Sequence, residues 1–354
     1  MAKHMSITKN ITALFIFFYV SGATQNHIQL LTEQKGVSIR ALAIPAYNII
    51  WASGSKGSIA KSIDAGKTFA WTKVKGYEHR DFRGIHAWDQ NEAIIIAIAA
   101  PALILKTKDG GVNWYKVYEN ADTAMFLDAI QFKDDYKGVV IGDPIRQKIF
   151  RLQTLDRGES WQQSDSGYFK NSLKEGESFF ASSNSNVCFD YQNEYLVSGG
   201  KQSRLWVNGI AKDLPIVQGS ASTGANSIAI SPNQKHLAIV GGDFAKEENN
   251  KDGFVRFDRY IVPNSEHKHL AIKQYQWLIN RKVTQFNRYA SSIVYLNNHS
   301  LIACGTKGVY YSKNGGKIWK KVSSEGFHVA KKIPHFNSLI LAGSGGRIAI
   351  IHVP

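Results

Sequence analysis

Arg40, Arg83 and Arg288 each stand among small or apolar neighbours, in the runs SIRAL, FRGIH and FNRYA. A guanidinium in such a setting needs a partner, because burying an unpaired charge is costly. Its planar fork suits a carboxylate, sulfate or phosphate. Asp128, Asp143 and His328 are of types that donate or accept a proton beside such an anion. Asp128 and Asp143 are also the one carboxylate pair to consider for glycoside cleavage, which needs two carboxyl groups about 5–9 Å apart. The alternative is that these charges pair with one another across a wet channel and only stiffen the fold.

Other chemistries find no support. The 11 histidines show no H-E-x-x-H or other metal spacing, and two cysteines exclude a four-thiolate zinc site. No Gly-rich loop follows a strand and opens a helix, so the Gly-Gly pairs read as turns and not as nucleotide sites. No cofactor and no metal are expected. Cys188 and Cys304 each lie inside an apolar run and read as buried free thiols.

A repeated turn says how such residues could be gathered. The pattern S/T-x-D-x-G-x-x-W/F occurs at Ser62 to Phe69, Thr107 to Trp114, Thr154 to Trp161 and Ser312 to Trp319. The turn acids are Asp64, Asp109 and Asp156, with Asn314 in the fourth place. A short acid accepts backbone N–H bonds within its own turn, Gly supplies positive φ, and the aromatic returns the chain to the core. Each copy follows an alternating strand, a polar turn, a buried apolar strand, a Gly-rich turn and a third strand. Four short strands per period of about 45 residues mark a propeller blade. No helical periodicity of useful length is present.

The predicted architecture is all-β, one seven-bladed β-propeller over residues 24–354. The blades fall near 37–75, 80–119, 124–165, 177–218, 224–276, 286–324 and from 326 to the end. Blade five carries a polar insertion, 245–252. The seventh holds only three strands, and the run 27–30 (HIQL) is expected to supply the fourth, which would leave no open seam. The first strand of each blade lines the channel. Aligned as IRALAIP, FRGIHAW, LDAIQFK, FFASSNS, ANSIAIS, YASSIVY and FHVAKKI, these strands place Arg40, Arg83, Asp128, Ser182, Asn226, Ser291 and His328 in one ring. Asp143, Arg204, Asp243, Arg288 and Tyr289 join it from nearby turns.

The four turns resemble the BNR or Asp-box repeat of sialidase-like propellers. Across the chain the sequence is similar to propellers related to the photosystem II stability/assembly factor. The stretches that carry this are 138–161, GESFFASSNSN at 176–186, Gly241-Gly242-Asp243, Asn287-Arg288-Tyr289, Gly326-Phe327-His328 and Gly345-Gly346-Arg347-Ile348. The resemblance implies the fold, and it implies activity only weakly. Members labelled oxidoreductase make a redox enzyme a further alternative, though no nicotinamide or flavin motif supports it. Sialidase-like hydrolysis of acidic glycans would need an arginine triad, a Tyr nucleophile and an acid. Arg40, Arg83, Arg288 and Tyr289 are the raw material, but adjacent residues 288 and 289 on a strand point to opposite faces.

Residues 1–23 read as a secretory leader: Lys3 and Lys9, the apolar run 11–20, then Ser21-Gly22-Ala23 with cleavage after Ala23. An uncleaved N-terminal anchor is the alternative. The protein is therefore expected to be secreted or periplasmic. Its 43 Lys and Arg against 28 Asp and Glu, net +15, favour an acidic protein partner or an anionic glycan. The basic residues are spread out, with no arginine-rich arm or recognition-helix motif, which argues against nucleic acid. A monomeric, non-catalytic binding or assembly module is the reading of first choice.

Overall fold

The computed structural model describes residues 28–165, 167–247, 250–262, 274–279 and 286–353; for 260–262 and 274–279 it describes the backbone alone. The predicted leader and its cleavage point lie outside the described residues, as do His27 and part of the blade-five insertion. Every regular element described is a strand.

The chain is a seven-bladed propeller, and the strand pairings define its seven antiparallel sheets. Blade one is built from Ile39–Ala46, Ile49–Gly54, Ser58–Ser62 and Ala70–Lys73, innermost first. Blades two, three and six repeat this order. In blade seven, Val329–Lys332, Ser338–Ala342 and Ile348–His352 are followed outward by Ile28–Thr32. Ile28 pairs with Ile351 and Leu30 with Ala349, so the two ends of the chain share one sheet.

Strand alternation explains the packing. Each sheet presents apolar side chains to both neighbours, and seven clusters of buried residues result, one per seam. Ile95, Leu103 and Leu105 of blade two meet Trp51 and Ile59 of blade one. Val329 and Ile340 of blade seven meet Ile39 and Leu42 of blade one, which seals the ring. Ion pairs with a buried partner also cross seams, and two of them are the closest in contact. Lys106 has no exposed surface, and its Nζ reaches Glu92 at 2.8 Å and Glu159 at 2.7 Å. Arg151 forks onto Glu194 at 3.0 and 2.7 Å.

The four repeated turns have one geometry. Asp64 Oδ1 accepts from Ser62 Oγ at 2.7 Å and from the Thr68 amide at 2.9 Å. Asp109 accepts from Thr107 Oγ1 and the Asn113 amide, both at 2.9 Å. Asp156 accepts from Thr154 Oγ1 at 2.7 Å and the Ser160 amide at 3.0 Å. Asn314 accepts from Ser312 Oγ at 3.1 Å and the Ile318 amide at 2.9 Å, so the amide oxygen does the same job. The box aromatic packs toward the preceding blade: Trp114 lies edge-on to Trp51 at 6.5 Å, and Trp319 lies 5.3 Å from Phe254.

Blade four departs from the expected pattern. FFASSNS was expected to form its innermost strand. Instead that strand is split into Glu177–Ser178 and Val187–Phe189, with residues 179–186 folded inward between them. Asn184, at φ 54°, cannot continue an extended strand, and its side chain makes the bonds that the neighbouring blades need.

Candidate functional site

In each blade the innermost strand starts at one face and runs toward the other. Near its start the ladder is broken by a bulge in four blades. The register skips between Ile39 and Ala41, Phe82 and Gly84, Leu127 and Ala129, and Ala225 and Ser227. The residues left without a ladder partner are Arg40, Arg83, Asp128 and Asn226. A bulge bends its strand and re-aims a side chain, here toward the axis. Ser291 and His328 sit one residue before the inner strands of blades six and seven, and Ser182 lies in the inward fold of blade four.

These positions surround one cavity of about 490 Å³. Arg40, Arg83, Ser182, Asn226, Ser291 and His328 line it, together with Asp143 and Tyr289. The inward fold of blade four is its floor. Asn184 Oδ1 accepts from the Ile130 amide at 2.8 Å, and its Nδ2 donates to the Ile85 carbonyl at 3.1 Å. Ser185 bonds Ser227 at 2.7 Å, and Ser183 Oγ donates to the Ser291 carbonyl at 2.5 Å. Blades two, three, five and six are thus tied to one plug. Gly84 allows its approach: a Cβ there would lie 3.0 Å from Asn184 Oδ1 and 2.6 Å from Ile96.

The cavity has a cationic wall and an aromatic wall. Arg83 Nε donates to Asp81 at 2.8 Å. Among the described residues Arg40 has no carboxylate partner; it makes one long contact, 3.5 Å, to the Ser182 carbonyl. Burial, with the nearby Arg83 charge, pulls Arg40 below the usual guanidinium range. Phe126, Phe180, Phe244 and Tyr289 form the other wall, with Phe180 and Phe244 edge to face at 5.8 Å. Glu247 and Thr306 stand at the rim and hydrogen-bond one another.

The acids do not form a hydrolytic pair in the cavity. Asp143 lines it, accepting from Ser178 Oγ and from the Phe179 amide at 3.2 Å, and burial raises its pKa. Asp128 has no exposed surface, and neither carboxyl oxygen has a hydrogen-bond partner. Burial, then the Asp143 charge, raises it well above the carboxylate range against the pull of Arg83. It lies beside the cavity and is not part of its lining. His328 has both ring nitrogens engaged: Nδ1 lies 3.1 Å from the Ile39 carbonyl and Nε2 3.2 Å from Ser344 Oγ. Burial and Arg40 push its pKa down to about 4, so the neutral ring pins blade seven to blade one. Tyr289 donates to Asn226 Oδ1 at 3.3 Å, and burial raises its pKa, which disfavours a phenolate nucleophile.

Three expected members of the site stand elsewhere. Arg204 does not line the cavity. It is buried against Glu177 through a two-point contact, donates to the Ser172 carbonyl at 2.9 Å and stacks on Trp206 at 4.4 Å. Asp243 also stands outside the lining; its carboxylate accepts from the Ala245 amide at 2.9 Å in its own turn. Arg288 is exposed and does not line the cavity that Tyr289 enters, although the chain there is a bend and not a strand. Sequence reasoning missed the aromatic wall and the plug. Ser178, Phe179 and Phe180 do fall within the stretch GESFFASSNSN singled out above, and Phe244 and Glu247 fall around the polar insertion.

Comparison with known proteins places the fold. No family model matches the chain, and no curated protein matches it. Solved structures do. YCF48 bound to D1 peptide superposes with a TM-score of 0.60 at 14% identity, covering 94% of this chain and 97% of that one. YCF48 from Cyanidioschyzon merolae gives 0.62 at 16%, covering 92% and 98%. The WD40 β-propeller domain of Doa1 gives 0.58 at 14%, covering 93% and 98%. At these identities the shared property is the fold alone, a seven-bladed β-propeller.

Proposed function

We propose that this chain, which folds as the assembly-factor propeller does, is an extracytoplasmic binding module whose central cavity takes an acidic segment of a partner protein. The observation that carries this reading is Arg40, a guanidinium inside a cavity of about 490 Å³ with no carboxylate of its own. A half-buried cation that has no carboxylate partner among the described residues is costly, and a ligand carboxylate would relieve it through a forked bond. The aromatic wall opposite gives the apolar part of the same segment a surface. The plug closes the floor, so a loop tip or a chain end fits and a threaded chain does not. One of the similar structures, YCF48, was solved with a peptide of D1, which supports a protein partner here. The surplus of basic residues would steer an acidic one toward it.

Titration with short acidic peptides, and with the same peptides carrying Asn and Gln for Asp and Glu, tests this. Binding of the acidic set should weaken with added salt and be lost in Arg40→Ala. Equal binding of both sets, or binding of a sulfated oligosaccharide but of no peptide, would refute it.

A further inference from the structure

The cavity holds a second charge besides Arg40 that has no partner of opposite sign. Glu247 stands half-buried at its rim and, among the described residues, meets no cation within ion-pair reach. This holds although Lys246 precedes it, Arg288 precedes Tyr289 and Lys307 follows Thr306. The acid belongs to blade five, and blade six holds it in place from two sides. The Tyr289 amide donates to the Glu247 carbonyl at 3.4 Å, and Thr306 Oγ1 donates to its carboxylate. Tyr289 connects this acid to the depth of the cavity, because its hydroxyl reaches Asn226 beside the axis. That hydroxyl lies within electrostatic reach of both Arg40 and Glu247. Glu247 is not among the charges that act on Arg40. One cation and one anion thus face the same space without cancelling each other, and the ring of Tyr289 stands between them.

We propose that the segment taken by this cavity carries a basic side chain within a few residues of its acid, and that Glu247 selects for that base. The inference rests on the reading of the cavity given above. The acid of the segment goes to Arg40 and the base to Glu247. Phe244 adds to the second contact: it is 45% exposed, stands edge to face with Tyr289 at 6.3 Å, and can offer its ring to the same cation. Asp143 does not compete for the base, because its carboxyl already accepts from Ser178 and the Phe179 amide and burial favours its neutral form. Selection also works by exclusion. A run of acids would set a like charge against Glu247, and a repulsive element of this kind separates partners that share their attractive contacts. The basic surface draws acidic segments of every kind toward the ring. The rim carboxylate is the element that tells them apart.

The test is titration of the full chain with sets of peptides that share one Asp and one Phe. Within a set the peptides differ at a single position near the Asp, which is Lys, Gln or Glu, and the sets move that position along both sides of the Asp. At the best spacing the Lys peptide should bind about three- to fivefold more tightly than the Gln peptide, the size of a half-exposed ion pair. The Glu peptide should bind more weakly than either. In Glu247→Gln, whose amide oxygen can still accept from Thr306, the Lys peptide should lose its advantage over the Gln peptide. The inference is overturned if the parent binds Lys and Gln peptides equally at every spacing, or if the Lys advantage persists in Glu247→Gln. Either result leaves acidic peptides bound through Arg40 and removes only the role given to Glu247. If the parent binds none of the peptides, the reading of the cavity fails and this inference fails with it.

Discussion

Arg40 and Arg83 line one cavity from adjacent blades, but only Arg83 is neutralised, by Asp81 at 2.8 Å. Arg40 is left facing a like charge, which contributes to its lowered pKa. Binding and stability should therefore trade against each other at this position. Arg40→Met is expected to raise the thermal midpoint, by about 1 kcal/mol of stability, while abolishing acidic-peptide binding. Calorimetry and peptide titration of the same variant check both halves.

Asp81 should act as the competitor of an incoming carboxylate. Asp81→Asn leaves Arg83 without its ion pair, and acidic peptides are expected to bind several-fold more tightly. Weaker or unchanged binding would show that Arg83 does not contact the ligand.

The plug is the next test. Asn184→Ala strips the Ile130 amide and the Ile85 carbonyl of their partners. A buried unsatisfied backbone group costs about 1–3 kcal/mol. A clear fall in the urea midpoint is expected, larger than that of Ser220→Ala on an exposed loop.

The pH dependence has two opposed parts. His328 and His86 are held down to about 4 and about 3 by burial. The unfolded chain protonates them first, so stability should fall as pH drops from 6.5 toward 4, by up to about 1.4 kcal/mol per pH unit for each. Asp128 acts in the other direction. Its folded pKa is raised, so it opposes folding once pH exceeds the unfolded carboxyl value. Asp128→Asn should thus stabilise the protein at neutral pH. It should also flatten the stability that the parent loses between the unfolded and the folded pKa of that carboxyl. Denaturant midpoints across pH 3–8 separate the two.

The ring of inward positions was legible because one strand pattern recurs in blade after blade. Arg40, Arg83, Asp128, Asn226, Ser291 and His328 could be aligned from strand starts alone, although the bulges that aim four of them could not be seen. The inward fold of blade four was illegible for a local reason. FFASSNS lines up with the inner strands of the other blades although it runs from apolar to polar without alternating, and only its bonds to blades two and three reveal Asn184 as a bridge. Arg204 was misplaced because its partner Glu177 lies 27 residues away and meets it only when the split inner strand of blade four folds back. Phe126, Phe180 and Phe244 lie outside regular strands, where periodicity carries no information.

Ile28 finds its neighbour in Ile351, so the first part of the ring to be synthesised waits for the last. A nascent chain leaving the ribosome or a translocation pore cannot shut its circle until synthesis is nearly over. Until then the edge of Ile348–His352 does not exist, and Trp71 of blade one can meet Thr32 only as a lone hairpinless strand. Completion is thereby tied to length: a prematurely truncated product would keep an open, sticky margin that quality-control proteases can distinguish from the finished ring.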